Sequence, residues 1–401
     1  YIIIKDSMKV ETKIYKKDSF IYLDGKFNLK EFYIVKSGNI SIKKKNELNQ
    51  ITEETKGPGY IFGIIQTLTG ISDNETVKAI TDCEILVIPK EKLEQLYVEH
   101  KKIILKILSE YSEILRNLDK ELVKIDFFTD DNFNRETKVF EIAKRYVLEN
   151  QKEKAAHLLK SFLMEIKGNS ALENKILNIL ENLPDVEIFK SNDIITEKIF
   201  KANTVVFTEF EMGNNFFIIK KGKVKITKLK HNKEMLLAIL SEGDIFGEMS
   251  ILNDKPRNAT AFVIENSELT IVDKKGIDKL PPPLFVKILY FLTRRIWFVQ
   301  QQIICNKISA PIAQIYYFLT AKIRLAIPNI KKDDDKTFVF NFSLQELYEM
   351  LDIDTDKEEK IKEFLTDKNI EFSDDSIKIK KTSHFLDKAS FYFTRSNLGF
   401  I

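Results

Sequence analysis

Cysteine, histidine and arginine are all scarce in this chain of 401 residues, and each scarcity excludes something. The two cysteines, Cys83 and Cys305, lie in different segments and cannot form a disulfide framework. Both are expected as buried thiols in a reducing compartment. The four histidines (His100, His157, His231 and His384) are scattered, and no His/Cys cluster has metal-ligand spacing, so no metal is expected. There is little net charge: 63 basic and 60 acidic side chains leave +3, which gives no strong pull toward nucleic acid or an anionic membrane. Only eight of the basic residues are arginines. No apolar run reaches the ~18 residues of a membrane span. The best stretch, 284–304, is broken by Lys287, Arg294 and Arg295. A signal-peptide pattern is missing, and so is a starting Met, so the true start is expected upstream and the location cytoplasmic, with no membrane partner. There is no P-loop, no G-x-S-x-G and no H-E-x-x-H. Neither catalysis nor a cofactor is expected.

What is present is a repeat. Shifted by 184 residues, the sequence matches itself without gaps: "EFYIVKSGNISI" (31–42) falls on "NFFIIKKGKVKI" (215–226), and "GYIFG" (59–63) on "GDIFG" (243–247). Gly38 meets Gly222, and Gly59 meets Gly243. Each copy reads as short strands of β-branched and aromatic residues between Gly and Asn/Asp turns. In the second copy the predicted strands are 205–207, 216–219, 224–226, 235–239 and 269–272. Many short strands with regular turns predict a barrel or jelly roll. A helix follows each copy, at about 101–125 and 284–307.

The segment 134–183 has a 3.6-residue period on both sides of Asn150-Gln151, which predicts a helical hairpin. Ala143, Tyr146 and Ala155-Ala156 resemble one tetratricopeptide-like unit, but such units stack in threes or more. A plain helical spacer is the simpler expectation. Beyond 309 the pattern predicts a helix (310–327), a strand (337–341), a helix 344–351 opened by a Ser343/Glu346 capping box, a helix 356–366 opened by Thr355/Glu358, and a hairpin turning at Ser373–Ser376. That is the order of a winged helix-turn-helix.

Segment 246–263, "FGEMSILNDKPRNATAFV", carries the chemistry. Gly247 allows close backbone approach. "EMSILN" can form a short helix whose first N–H groups face an anion. Arg257 can clamp a phosphate with its planar fork of donors, Ala259 is small enough for its N–H to reach the same group, and Glu248 can accept from a ribose hydroxyl. Phosphate donors beside a hydroxyl acceptor suit a sugar phosphate. These residues resemble the cyclic nucleotide-binding domain family, of the catabolite activator and protein kinase A regulatory subunit type. Its cassette reads F-G-E, an aliphatic helix, then P-R-x-A-[ST], matched here by Phe246, Gly247, Glu248, Pro256, Arg257, Ala259 and Thr260. The resemblance implies that Glu248 binds the ribose 2′-OH, and that Arg257 and the Ala259 N–H bind the cyclic phosphate. The candidate ligand-binding set is Phe246, Gly247, Glu248, Met249, Ser250, Arg257, Asn258, Ala259 and Thr260. A hydroxyl at Thr260 can serve a guanine amino group, yet the cassette does not choose between cAMP, cGMP and other cyclic nucleotides.

The first copy departs from this pattern. Glu248 becomes Ile64, Arg257 becomes Asp73 and Ala259 becomes Glu75, so two carboxylates would face a phosphate. A structural or protein-contact role is expected for it. The tail resembles the winged helix of the catabolite activator family more weakly. Its would-be recognition segment, 354–367, sets Asp354, Asp356, Glu358, Glu359, Glu363 and Asp367 against Lys357, Lys360 and Lys362, which opposes docking on phosphates.

The expected architecture is α+β: two cyclic-nucleotide-binding β-barrels (jelly rolls) joined by a helical hairpin and followed by a winged-helix-like domain. The expected divisions are 1–128, 129–186, 187–308 and 309–401. The expected function is a bacterial, cytoplasmic receptor that binds a cyclic nucleotide in its second barrel and signals to a protein partner through helix 284–307 and the tail. A DNA-binding transcription regulator is the rival. Apolar stripes at 285, 289, 292, 296, 299 and 303, and at 108, 111, 115, 118, 122 and 125, have coiled-coil spacing. Both stripes could simply cover their own barrels, but the expectation is that the 285–303 stripe meets a second helix, in a homodimer or in an intramolecular pseudo-dimer.

Overall fold

A computed structural model describes residues 10–23, 25, 30–45, 50–71, 75–123, 134–166, 169–189, 193–230, 233–328, 330, 335–353 and 359–397. The chain divides into two compact units, one of residues 1–118, 281–347 and 353–401, the other of residues 119–280 and 348–352.

The first repeat contains strands β1 (Glu11–Tyr15), β2 (Phe20–Tyr22), β3 (Glu31–Ser37), β4 (Ile40–Lys45), β5 (Ile51–Lys56) and β6 (Ile61–Phe62), helix α1 (Ile64–Thr69), strands β7 (Glu75–Ala79) and β8 (Cys83–Pro89), and helices α2 (Leu93–Glu99) and α3 (Lys101–Val123). The strands pair as two antiparallel sheets, β1-β8-β3-β6 and β2-β7-β4-β5. One core lies between them: Tyr33, Val35, Phe62, Ile85 and Val87 from one sheet meet Tyr22, Ile40, Ile42, Val77 and Ala79 from the other. Residues two apart along β3, β4, β7 and β8 join this core, and that spacing fixes the register. Both cysteines are free and buried.

Between the repeats lie helices α4 (Arg135–Leu148), α5 (Lys152–Glu165) and α6 (Ser170–Leu180). The predicted hairpin is present, turning through Asn150 at φ +56°; the third helix was not foreseen. Val139, Ile142, Tyr146, Leu158, Phe162 and Ile176 form its apolar seam.

The second repeat runs β9 (Ile195–Phe200), β10 (Val205–Phe207), β11 (Asn215–Lys221), β12 (Val224–Lys230), β13 (Lys233–Leu240), β14 (Ile245–Phe246), α7 (Glu248–Asn253), β15 (Thr260–Val263) and β16 (Ser267–Asp273). Its sheets, β14-β11-β16-β9 and β10-β15-β12-β13, reproduce the first pair. The same register recurs: Tyr33 opposes Phe62 in the first copy, and Phe217 opposes Phe246 in the second. The recurring glycines have a backbone cause. Gly38 and Gly222 sit at φ +83° and +101°, and an added Cβ would fall 2.3 Å from the Asp82 carbonyl or 2.2 Å from the Ser267 hydroxyl.

The chain continues through α8 (Pro282–Cys305), α9 (Pro311–Ala326), β17 (Phe338–Phe340), α10 (Leu344–Leu351), α11 (Lys362–Leu365), β18 (Ile370–Phe372), β19 (Ile377–Ile379) and α12 (Thr382–Asn397). Helix α8 packs in the first unit against α1, α2 and α9. Phe285 stacks on Tyr97 of α2 at 4.2 Å, and Phe298 meets Phe318 of α9 at 5.4 Å. Phe285, at the head of the 285–303 stripe, thus meets another helix, α2. In the tail the expected order holds as far as the β18–β19 hairpin, but the 16-residue helix α12 after it was not foreseen; the Ser343/Glu346 box is formed in both directions, at 2.9 and 3.2 Å. The expected recognition helix is not reproduced among the described residues. Residues 354–358, with the Thr355/Glu358 box, lie outside them, and the helix that follows is only Lys362–Leu365. Among the described residues, no helix is long and apolar enough to cross a membrane.

Candidate functional site

Strand β14 ends at Phe246, and Gly247 turns the backbone through φ +81° into the six-residue helix α7. A Cβ at 247 would lie 2.7 Å from Arg257 Nη1, so glycine is required both for the turn and for the room it leaves. Arg257 comes to this turn from the loop before β15. Its backbone is fixed by the preceding loop: Arg257 N–H donates to the Glu211 carbonyl (2.8 Å), and Phe210 N–H donates to the Arg257 carbonyl (3.0 Å).

Arg257 is 4% exposed. Nη1 donates to the Gly247 carbonyl (2.6 Å) and to Ser250 Oγ (2.8 Å), and Nη2 donates to Asn215 Oδ1 (2.8 Å). Its flat face lies 4.1 Å from the ring centre of Phe207 and 5.7 Å from that of Phe217. Phe246 stacks on Phe217 at 5.0 Å and completes the aromatic wall. Nε is buried and makes no hydrogen bond. Burial pushes the guanidinium down to about 10, while the nearby carboxylates of Glu211 and Glu248 pull the other way, so it keeps its charge at neutral pH.

The nine candidate residues do not form one cluster. Phe246, Gly247, Ser250 and Arg257 converge, and buried Glu248 acts on Arg257 electrostatically. Met249 and Ala259 are buried. Asn258 and Thr260 engage other groups. Asn258 Nδ2 donates to Asp119 Oδ2 (2.6 Å), and Lys228 Nζ donates to the Asn258 carbonyl (2.5 Å) and side-chain oxygen (3.1 Å). Thr260 Oγ1 lies 2.6 Å from the Tyr146 hydroxyl of α4 and accepts from the Glu209 N–H at 2.9 Å. This hydroxyl, of the kind that can serve a guanine amino group, engages Tyr146 and the Glu209 N–H here.

Sequence reasoning missed the groups that shape Arg257: Phe207, Gly213, Asn215 and Phe217. A Cβ at Gly213 would fall 2.2 Å from Arg257 Cζ. The one available signal was the Gly213-Asn214-Asn215 turn. Two acids were also missed. Glu209 is pushed up to about 7 by burial, against the pull of Lys228 and the Leu229 N–H. Glu211 is part-buried, and partial burial raises its pKa, but His157, the Thr208 N–H and Arg257 outweigh that effect and hold it below the usual carboxylate range.

In the first repeat Ile64 is buried on α1, and Asp73 lies outside the described residues. Glu75 does point inward, on the face of β7 that it shares with Val77 and Ala79. It is not a bare charge, because Lys44 Nζ lies 2.8 Å from one carboxylate oxygen and the Tyr22 hydroxyl donates to the other.

The model of the family described as cyclic nucleotide-binding domain matches residues 12–100 and 197–281. The cAMP-dependent protein kinase regulatory subunit of Yarrowia lipolytica is 33% identical over 110 residues, which are 27% of this chain and 29% of that protein. Human cGMP-dependent protein kinase 2 is 32% identical over 98 residues, 24% of this chain and 13% of that one. The chain therefore spans less than a third of these relatives' length. The solved regulatory domain of Toxoplasma gondii PKA with cAMP aligns at 16% identity over 69% of this chain and 84% of that one, with a TM-score of 0.22. These relatives are eukaryotic, which leaves the expected bacterial source without support. The family match ends at residue 281, so it lends none to the winged-helix reading of the tail.

Proposed function

Because the chain carries two tandem cyclic nucleotide-binding domains, we propose that it is a regulatory, non-catalytic protein that binds cAMP or cGMP in the second domain and acts on a protein partner, a kinase being the class that its relatives' names suggest. The observation that carries the reading is Arg257: a charged guanidinium buried on an aromatic wall, hydrogen-bonded to neutral oxygens, with Nε–H unused. A buried cation with spare donors is matched to an anion. Arg257 takes the cyclic phosphate with the Ala259 N–H, and Glu248 takes the ribose 2′-OH. Phe246, Gly247, Met249 and Ser250 shape the turn that holds them. The first domain, with Glu75 tied to Lys44 and Tyr22, takes no cyclic nucleotide.

Calorimetry of the whole chain with cAMP, cGMP and a cyclic dinucleotide tests this. One equivalent of a cyclic mononucleotide is expected. Arg257→Ala should weaken that affinity by about 30-fold or more, the effect of losing a charge-assisted contact worth roughly 2–5 kcal/mol in a desolvated site. Unchanged affinity in the variant, or two equivalents in the wild type, sinks the assignment.

A further inference from the structure

The acceptors around Arg257 share one property: each is neutral. The guanidinium donates to a backbone carbonyl at Gly247, a hydroxyl at Ser250 and a carboxamide at Asn215. The two acids nearby act on it only through space. Glu211, on the same loop, directs its carboxylate to the Thr208 N–H (3.0 Å) and to His157 Nδ1 (3.3 Å) instead. Arginine in a buried site ordinarily pairs with a carboxylate, which fixes its geometry and cancels its charge together. Here the three acceptors that fix the geometry bring no charge of their own. Asn215 holds the other terminal nitrogen, since it opens β11 and accepts from Nη2, while Gly213, two residues earlier, clears the space the guanidinium fills. In the first copy the 184-residue shift puts Glu31 at Asn215's place, in a domain where Asp73 stands for the arginine. The neutral amide therefore goes with the arginine.

We propose that Asn215 is a positioning residue in the second domain: it orients the Arg257 guanidinium and, being uncharged, adds no negative charge to compete with the ligand's phosphate. This rests on the reading of that domain as a cyclic-nucleotide site.

Asn215→Asp, which preserves size and adds a charge, is the test, with cAMP and cGMP as probes on the whole chain. The aspartate should pair with Arg257 in place of the ligand. Affinity should fall about tenfold or more, while the melting temperature of the ligand-free variant stays level or rises. Asn215→Ala, which removes the acceptor without adding charge, should weaken binding by less. A purely structural role predicts the reverse order, with alanine worse than aspartate and both less stable. Wild-type affinity in Asn215→Asp, or a larger loss in Asn215→Ala, overturns the proposal while the nucleotide reading stands. A wild-type chain that binds neither nucleotide removes both. Should Asn215→Asp fail to fold, wild-type affinity in Asn215→Ala overturns it alone.

Discussion

Glu209 gives the second unit a pH dependence that can be worked out from its surroundings. The carboxyl sits just after β10, 2% exposed, and Oε1 has no hydrogen-bond partner. Burial raises its pKa from 4.5 to about 7. A pKa raised by folding means that the folded chain holds a proton the unfolded chain releases between these values. Stability from this group is fully present below about pH 4.5 and is lost as pH rises through about 7. At 1.36 kcal/mol per unit the loss is about 3 kcal/mol. Glu209→Gln keeps the shape and never ionises. The variant should match the wild type near pH 4.5 and exceed it increasingly toward pH 8. Trp297, the single tryptophan, belongs to the first unit, so its fluorescence reports on the wrong region. Hydrogen exchange of β10 and β12 amides, comparing the two chains at equal pH, reads the second unit and cancels the pH dependence of the exchange chemistry. A protection gap that is the same at pH 5 and pH 8 refutes the reasoning.

Glu75→Ala should destabilise the first unit by roughly 1–3 kcal/mol, because it removes the buried carboxylate to which the Tyr22 hydroxyl donates and with which Lys44 pairs; an unshifted Trp297 thermal transition contradicts this. Leu292→Asp with Val299→Asp puts two charges at buried positions of α8 and should lower the same transition by several degrees while nucleotide affinity stays within about tenfold. If the transition holds, the stripe does not secure α8. The tail should not bind duplex DNA at nanomolar affinity in about 150 mM salt, given the acidic segment 354–367 and the four-residue α11. A sequence-selective mobility shift retained at that salt would restore the transcription-regulator reading.

The sequence by itself determined the features that repeat and the features that are local. The 184-residue shift works because both copies need glycine at the same positive-φ positions and apolar residues at the same pleat positions, as Gly38/Gly222 and the Tyr33–Phe62 and Phe217–Phe246 pairs show. The Ser343/Glu346 box was legible because both hydrogen bonds close within three residues. The hairpin at Asn150 was legible from periodicity on either side. The tertiary structure alone decided what each side chain meets across the chain. Asn215 finds Arg257 from 42 residues away, and Thr260 finds Tyr146 from 114. Such distances leave no periodic trace. Nothing in "PRNAT" says that Arg257 turns inward onto Phe207 while Asn258 and Thr260 turn toward Asp119 and Tyr146. Glu75 reads as a bare charge in sequence, and only strand pairing, which sets Lys44 opposite it, makes it an ion pair. The stripe on α8 announces that it must be covered; which helices cover it is settled by chain topology, because apolar burial has no preferred direction.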